Sequence, residues 1–307
     1  MIMPKLKLAL DWTANINHIG FFVAQEKGFY HEIGLDVEII SPATDDYEMT
    51  PAKKVELGLA DLALTPTESV ISYRTKANPF PMIGIAAIFQ KDLSAIVTLE
   101  REDIKTPKDL DGKSYASYQA RYEDHIVKQM IISDGGVADL SLAYPKKLGI
   151  WDTLLSGKYD ATWIFSNWEG VDAICESVKL TEFRLEDYDV PYSYSPLIVA
   201  DERRLLEKPD LFQAFLSASK KGFLFSRNQP EEAVSLLQKY VPSSDENIDL
   251  AMALSRSADA FGGEDEWGKM EIPVVEKFIS WLKENQLENA HLSTDQIVTN
   301  RLLDPLN

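Results

Sequence analysis

Aromatic side chains and carboxylates gather at the ends of short apolar runs in this sequence. Asp11 and Trp12 follow LKLAL, with Asn15, Asn17 and His18 close behind. Asp45 sits in the acidic stretch DDYE, and Thr67 and Glu68 follow DLALTP. Tyr118 and Arg121 lie in the polar stretch YQARYED. Trp163, Asn167, Trp168 and Glu169 fall in and after ATWIF, and Tyr188 and Tyr192 belong to DYDVPYSYSP. Indole and phenol faces offer flat surfaces on which an aromatic ring can stack, a gain of about 1 kcal/mol beyond buried area. Carboxylates beside them accept hydrogen bonds from ring amino groups, and such directional contacts reject ligands that lack the matching donors.

Each residue also has a purely structural reading. Trp12 and Trp163 can be core residues, and Glu169 can cap a helix. Thr65 or Thr67 is expected to cap the helix that carries Glu68. Asp45 can be a solvated loop acid, or it can favour cationic and donor-rich ligands. Arg121 either brings the site its one obvious cation or pairs with Glu123 or Asp124. Tyr188 and Tyr192 either pack in a connecting loop or line the site. His18 has no neighbouring Ser or Cys with which to form a nucleophile pair.

Strand and helix patterns alternate along the chain, so the expected fold class is α/β, with mostly parallel sheets flanked by helices. Leu6–Leu10 reads as a strand, Ile19–Lys27 as a helix ended by Gly28, and Leu35–Ile40 as the next strand. Further strands are expected over 61–64, 82–89, 94–99, 113–117, 161–165 and 197–200. Helices are expected over 51–58, 67–76, 126–133, 151–156, 167–175, 209–227, 230–240, 247–257 and 272–285. Breaks at Gln90-Lys91-Asp92 and in DYDVPYSYSP fit two crossings between lobes. The expected division is 1–92 plus 197–307 for one lobe and 93–196 for the other. Open α/β sheets bind ligands at the carboxyl ends of their strands, where the aromatic and acidic residues fall.

Composition narrows the function. With 31 basic and 49 acidic residues the net charge is −18, which opposes binding to nucleic acid or to anionic lipid. No apolar run reaches the roughly 18 residues of a membrane span. The single cysteine, Cys175, excludes an intramolecular disulfide and a multi-cysteine metal site, and the four histidines lack metal-ligand spacing. No metal or cofactor is expected. No secretion signal precedes the first strand. If Met1 is the native start, the protein is expected in the cytoplasm.

The segment from Asp11 to Val37 resembles the thiamine-pyrimidine and sulfonate group of bacterial substrate-binding proteins, the SsuA/THI5-like family. The matching residues are Asp11, Trp12, His18, Ala24, Gly28, Phe29, Tyr30, Gly34, Leu35, Asp36 and Val37. Gly58-Leu59-Ala60-Asp61-Leu62, Ile104–Gly112 and Gly157-Lys158-Tyr159-Asp160-Ala161 resemble later family segments. The resemblance implies a two-lobe periplasmic-binding-protein-like fold of type II. It implies a small heteroaromatic ligand, an aminomethyl- or hydroxymethyl-pyrimidine of thiamine synthesis, and an ABC importer permease as partner. It also implies a place outside the cytoplasm if a leader has been removed. The same family contains thiamine-pyrimidine synthases, and sulfonate, nitrate or riboflavin-type binders remain as alternatives. The synthases use a Lys and a His near the second strand, a cysteine-rich iron-binding run and a glycine-rich phosphate loop. Here the corresponding positions read ALTPTES and SYQAR, with one cysteine in the chain, so a non-enzyme and an unphosphorylated ligand are expected.

Overall fold

The computed structural model describes residues 3–145, 154–288 and 291–303. Two five-stranded sheets form its two lobes. The first contains β1 (Lys5–Ala9), β2 (Asp36–Ile40), β3 (Leu62–Thr65), β4 (Met82–Ala87) and β10 (Leu197–Asp201), in the order β2-β1-β3-β10-β4. The second contains β5 (Ser94–Leu99), β6 (Ser114–Ala116), β7 (Ser141–Ala143), β8 (Ala161–Phe165) and β9 (Leu180–Phe183), in the order β7-β6-β8-β5-β9. In each sheet four strands run one way. The exceptions are β10, antiparallel to β3 and β4, and β5, antiparallel to β8 and β9.

The two exceptions have one cause. Residues 88–93 carry the chain from the carboxyl end of β4 into β5, and residues 184–196 carry it from β9 back into β10. A strand that enters a sheet at its carboxyl edge must run against its neighbours. The crossings therefore hold the carboxyl edges of the two sheets toward each other.

The two Gly-x-x-Asp segments do matching work in the two lobes. Gly58 and Gly157 turn the chain with φ of 68° and 70°, a region that favours glycine. Asp61 then accepts a hydrogen bond from the Lys7 N–H in β1 (2.7 Å) and pairs with Arg204. Asp160 accepts from the Ser114 N–H in β6 (2.9 Å) and pairs with Arg101 (2.6 Å). Each aspartate thus occupies a backbone donor of the strand that leads to a site loop.

The core of the first lobe packs the helix Ile19–Glu26 against the helix Pro209–Asn228. In the latter, Phe212, Phe215, Leu216, Ser219, Gly222, Phe223 and Ser226 are buried at three- and four-residue spacing. The approach is close because both helices present glycine. A Cβ on Gly222 would lie 1.9 Å from the Gly20 carbonyl oxygen, and one on Gly20 would lie 2.2 Å from the Phe223 ring.

Several expectations are corrected. The cap of the helix Thr67–Thr75 is Pro66. The Thr67 hydroxyl instead donates to the Tyr194 carbonyl (2.9 Å), tying the helix to a crossing. Strands β7 and β9 were not expected; three and four residues carry little period-two signal. The helix Glu202–Glu207, capped by Asp201, was also not expected. Half of the helix expected over 151–156 lies outside the described residues. No helix among the described residues is long and apolar enough to cross a membrane.

Gly222→Ala is expected to destabilise the fold by about 1–3 kcal/mol through overpacking, read by urea unfolding. Unchanged stability would show that the contact between the two helices relaxes freely.

Candidate functional site

A cavity of about 260 Å³ lies between the facing sheet edges. The first lobe lines it with Asp11, Trp12, Asn15, Asn17, Pro66 and Glu68. The second lobe adds Tyr118, Ala120, Glu123, Trp163, Ile164, Phe165, Trp168 and Glu169, and the second crossing adds Tyr192 and Ser195. These residues stand at the carboxyl ends of β1, β3, β6 and β8, where open α/β sheets hold ligands.

Aromatic rings wall the cavity from both lobes. Trp12 meets Tyr118 across the cleft, with ring centres 6.4 Å apart and planes at 75°. Trp12 also rests against Tyr47 at 6.0 Å. Trp163 meets Tyr192 at 5.2 Å and 61°. Such tilted pairs leave ring faces free for a flat guest.

Acids edge the walls. Glu68 is 5% exposed, and its Oε2 has no hydrogen-bond partner. Burial, and then the neighbouring Glu123 carboxylate, pushes Glu68 up to about 7. Glu169 is partly open where it lines the cavity and accepts a bond from the Phe165 N–H (2.9 Å). Burial nevertheless holds it up to about 7. Glu123 is raised chiefly by burial. It accepts bonds from the Tyr115 hydroxyl (2.8 Å) and from the N–H groups of Tyr118 (3.1 Å) and Ala120 (3.2 Å), so it shapes the loop that presents Tyr118. No Lys or Arg among the described residues lines the cavity. Among the described residues, no group of three or more His, Cys, Asp or Glu side chains is placed to hold a metal ion.

Of the residues singled out in the sequence, Asp11, Trp12, Asn15, Glu68, Tyr118, Trp163, Trp168, Glu169 and Tyr192 line the cavity. The others stand behind it or away from it. His18 is fully buried and shares a 2.8 Å hydrogen bond between its Nε2 and Asp11 Oδ1, so it orients Asp11. Asn167 is buried and donates to Asn17 Oδ1 and Ser257 Oγ, both at 2.8 Å, which joins the lobes. Thr67 serves the crossing. Asp45 pairs with Lys54 at 3.0 Å.

Arg121 pairs with neither Glu123 nor Asp124. It donates to Thr75 and to Glu288, the latter at 2.8 Å, and Glu288 also accepts from the Tyr122 hydroxyl at 2.9 Å. Tyr188 packs edge-on against Phe183 at 6.4 Å. Pro66, Ala120, Ile164, Phe165 and Ser195 line the cavity without having been singled out, and Asn17 and Glu123, noted in their loops, line it as well. The strand-end rule alone would have found Phe165 and Pro66.

The family described as NMT1/THI5 like matches residues 15–233. The chain is 27% identical over 297 residues to the formylaminopyrimidine-binding protein of Halalkalibacterium halodurans, covering 91% of this chain and 85% of that protein. It is 26% identical over 250 residues to the 4-amino-5-hydroxymethyl-2-methylpyrimidine phosphate synthase of Legionella pneumophila, covering 79% and 77%. The solved ligand-binding component of an ABC-type import system from Staphylococcus aureus superposes with a TM-score of 0.71 at 13% identity, over 97% of each chain. That last likeness shows the fold alone.

Glu68 gives a pH test of this geometry. Its folded-state value, about 7, lies above its ordinary value of 4.5. The folded protein therefore holds more protons than the unfolded chain between those values, and stability falls as pH rises through that window. Glu68→Gln removes the effect. Relative to wild type, the variant should gain about 1–3 kcal/mol more at pH 8 than at pH 5, read from urea unfolding at both. An equal difference at the two pH values would contradict the burial of an uncompensated carboxylate.

Proposed function

Because this chain belongs to the NMT1/THI5-like family, we propose that it is the substrate-binding component of an ABC importer, working outside the cytoplasm. Its ligand is a small aminopyrimidine of the kind used in thiamine synthesis. One observation carries the reading: the cavity between the lobes is walled by Trp12, Tyr118 and Trp163 and edged by Glu68, Glu123 and Glu169. A planar ring stacks on the indole and phenol faces while its amino groups donate to the carboxylates. The formylaminopyrimidine-binding relative supports the same ligand class. Sulfonate and nitrate would need convergent cationic or N–H donors, and acids here occupy the places such donors would take.

Binding works by lobe closure. The ring touches both lobes, so it favours the arrangement in which both walls are present. The closed form is the surface a permease would read. The binder reading is favoured over the synthase reading by the lining itself. Among the described residues no Lys or His lines the cavity, and the one cysteine, Cys175, lies exposed elsewhere.

Calorimetric or fluorescence titration with aminopyrimidines, thiamine, riboflavin, taurine, alkanesulfonates and nitrate tests the proposal. Aminopyrimidines should bind, and Trp12→Ala should weaken them roughly 10- to 100-fold. Tight binding of sulfonate or nitrate alone would overturn the ligand class. Turnover of a bound compound would overturn the binder reading.

A further inference from the structure

We infer that the cavity takes its ligand as a cation, a flat aromatic amine whose positive group sits against the carboxylates of Glu68 and Glu123. The inference rests on the aminopyrimidine reading and narrows it to a member with a basic side arm. Aminomethyl-pyrimidine qualifies at neutral pH; the hydroxymethyl and formylaminomethyl forms carry no charge on that arm.

The cavity's own accounting leads there. Glu68 comes from the first lobe and Glu123 from the second, and each is nearly inaccessible, at 5% and 2% exposure. Glu123 already accepts three hydrogen bonds from its own loop. Glu68 has the Tyr192 hydroxyl at 3.4 Å on Oε1 and the Tyr122 backbone N–H nearby, and its Oε2 has no hydrogen-bond partner. A buried carboxylate oxygen without a donor, on the wall of a cavity, is the place a ligand's N–H should occupy. Among the described residues, the titratable groups facing Glu68 are Glu123 and Tyr122 of the second lobe and Tyr192 of the crossing, none of them cationic. A neutral guest would have to leave these acids protonated, because sealing their ionised forms from water with no counter-charge is costly. An ammonium supplies the charge and its hydrogen bonds together, and the faces of Trp12 and Trp163 favour it further.

Proton balance gives the inference a second readout. In the empty cavity Glu68 and Glu169 are partly protonated near neutral pH. An incoming ammonium pairs with the ionised carboxylate, so the carboxyl proton leaves to the buffer and the ligand keeps its own. A neutral pyrimidine has no charge with which to expel that proton.

The test uses the whole wild-type protein and three aminopyrimidines that share one ring and differ only in the side arm: aminomethyl, hydroxymethyl and formylaminomethyl. Calorimetry near pH 6.5, in two buffers of different ionisation enthalpy, reads affinity and proton release together. The aminomethyl compound should bind about tenfold tighter or more than the other two and alone release protons, and Glu68→Gln should reduce its advantage to about threefold or less. If the neutral compounds bind as tightly, or if no proton is released, the inference falls while the proposed function stands. If none of the three binds, the proposed function falls and takes the inference with it. If Glu68→Gln does not fold, the wild-type ranking and proton count decide alone.

Discussion

The site exists because two crossings point two sheets at each other. The first delivers β5 and the second delivers β10, each entering its sheet from the carboxyl edge and running against its neighbours. That reversal turns two separate strand-end sites into one enclosed cavity. Every lining residue follows from it. Trp12 and Glu68 come from the ends of β1 and β3, Tyr118 and Trp163 from the end and body of β6 and β8, and Tyr192 from the crossing itself. Without the facing edges, Trp12 and Tyr118 would not approach to 6.4 Å.

Around this frame the protein keeps two kinds of polar group. One kind is satisfied and structural. Asp61 and Asp160 occupy backbone donors, Asn167 joins Asn17 and Ser257 across the lobes, and Arg121 with Tyr122 reaches Glu288. The two aspartates brace each lobe internally, and the Asn167, Arg121 and Tyr122 bonds hold the lobes together. The other kind is left wanting. Glu68 is buried without a donor on one oxygen, and burial lifts it and Glu169 to about 7. A fold built for stability alone would replace Glu68 by an apolar or amide side chain. Retaining the acid sacrifices stability for a binding preference, the kind of exchange expected at a functional site.

Much of this was legible in the sequence. The alternation of strands and helices, the two crossings and the strand-end placement of Trp12, Tyr118, Trp163 and Glu169 all follow from local pattern and the α/β binding rule. What could not be read was which polar residues serve the cavity and which serve the scaffold. Arg121 sits three residues from Tyr118, yet its partner Glu288 lies 167 positions along the chain. His18 precedes a helix in a loop full of candidates, and only the fold turns it toward Asp11. Glu123 read as one of several polar residues in its loop, because its bonds to Tyr115 and the Tyr118 loop depend on how β6 ends. Short edge strands such as β7 also escaped, since pairing with β6 rather than intrinsic pattern defines them.

The central claim is geometric: a flat amine lies between Trp12, Tyr118 and Trp163 with its N–H groups on Glu68. A crystal structure of the protein grown with aminomethyl-pyrimidine tests it most directly. The account predicts ring density against those three side chains and a nitrogen within about 3 Å of Glu68 Oε2. Density for the pyrimidine elsewhere, or a ring in the cavity whose amino groups face away from Glu68, would contradict it.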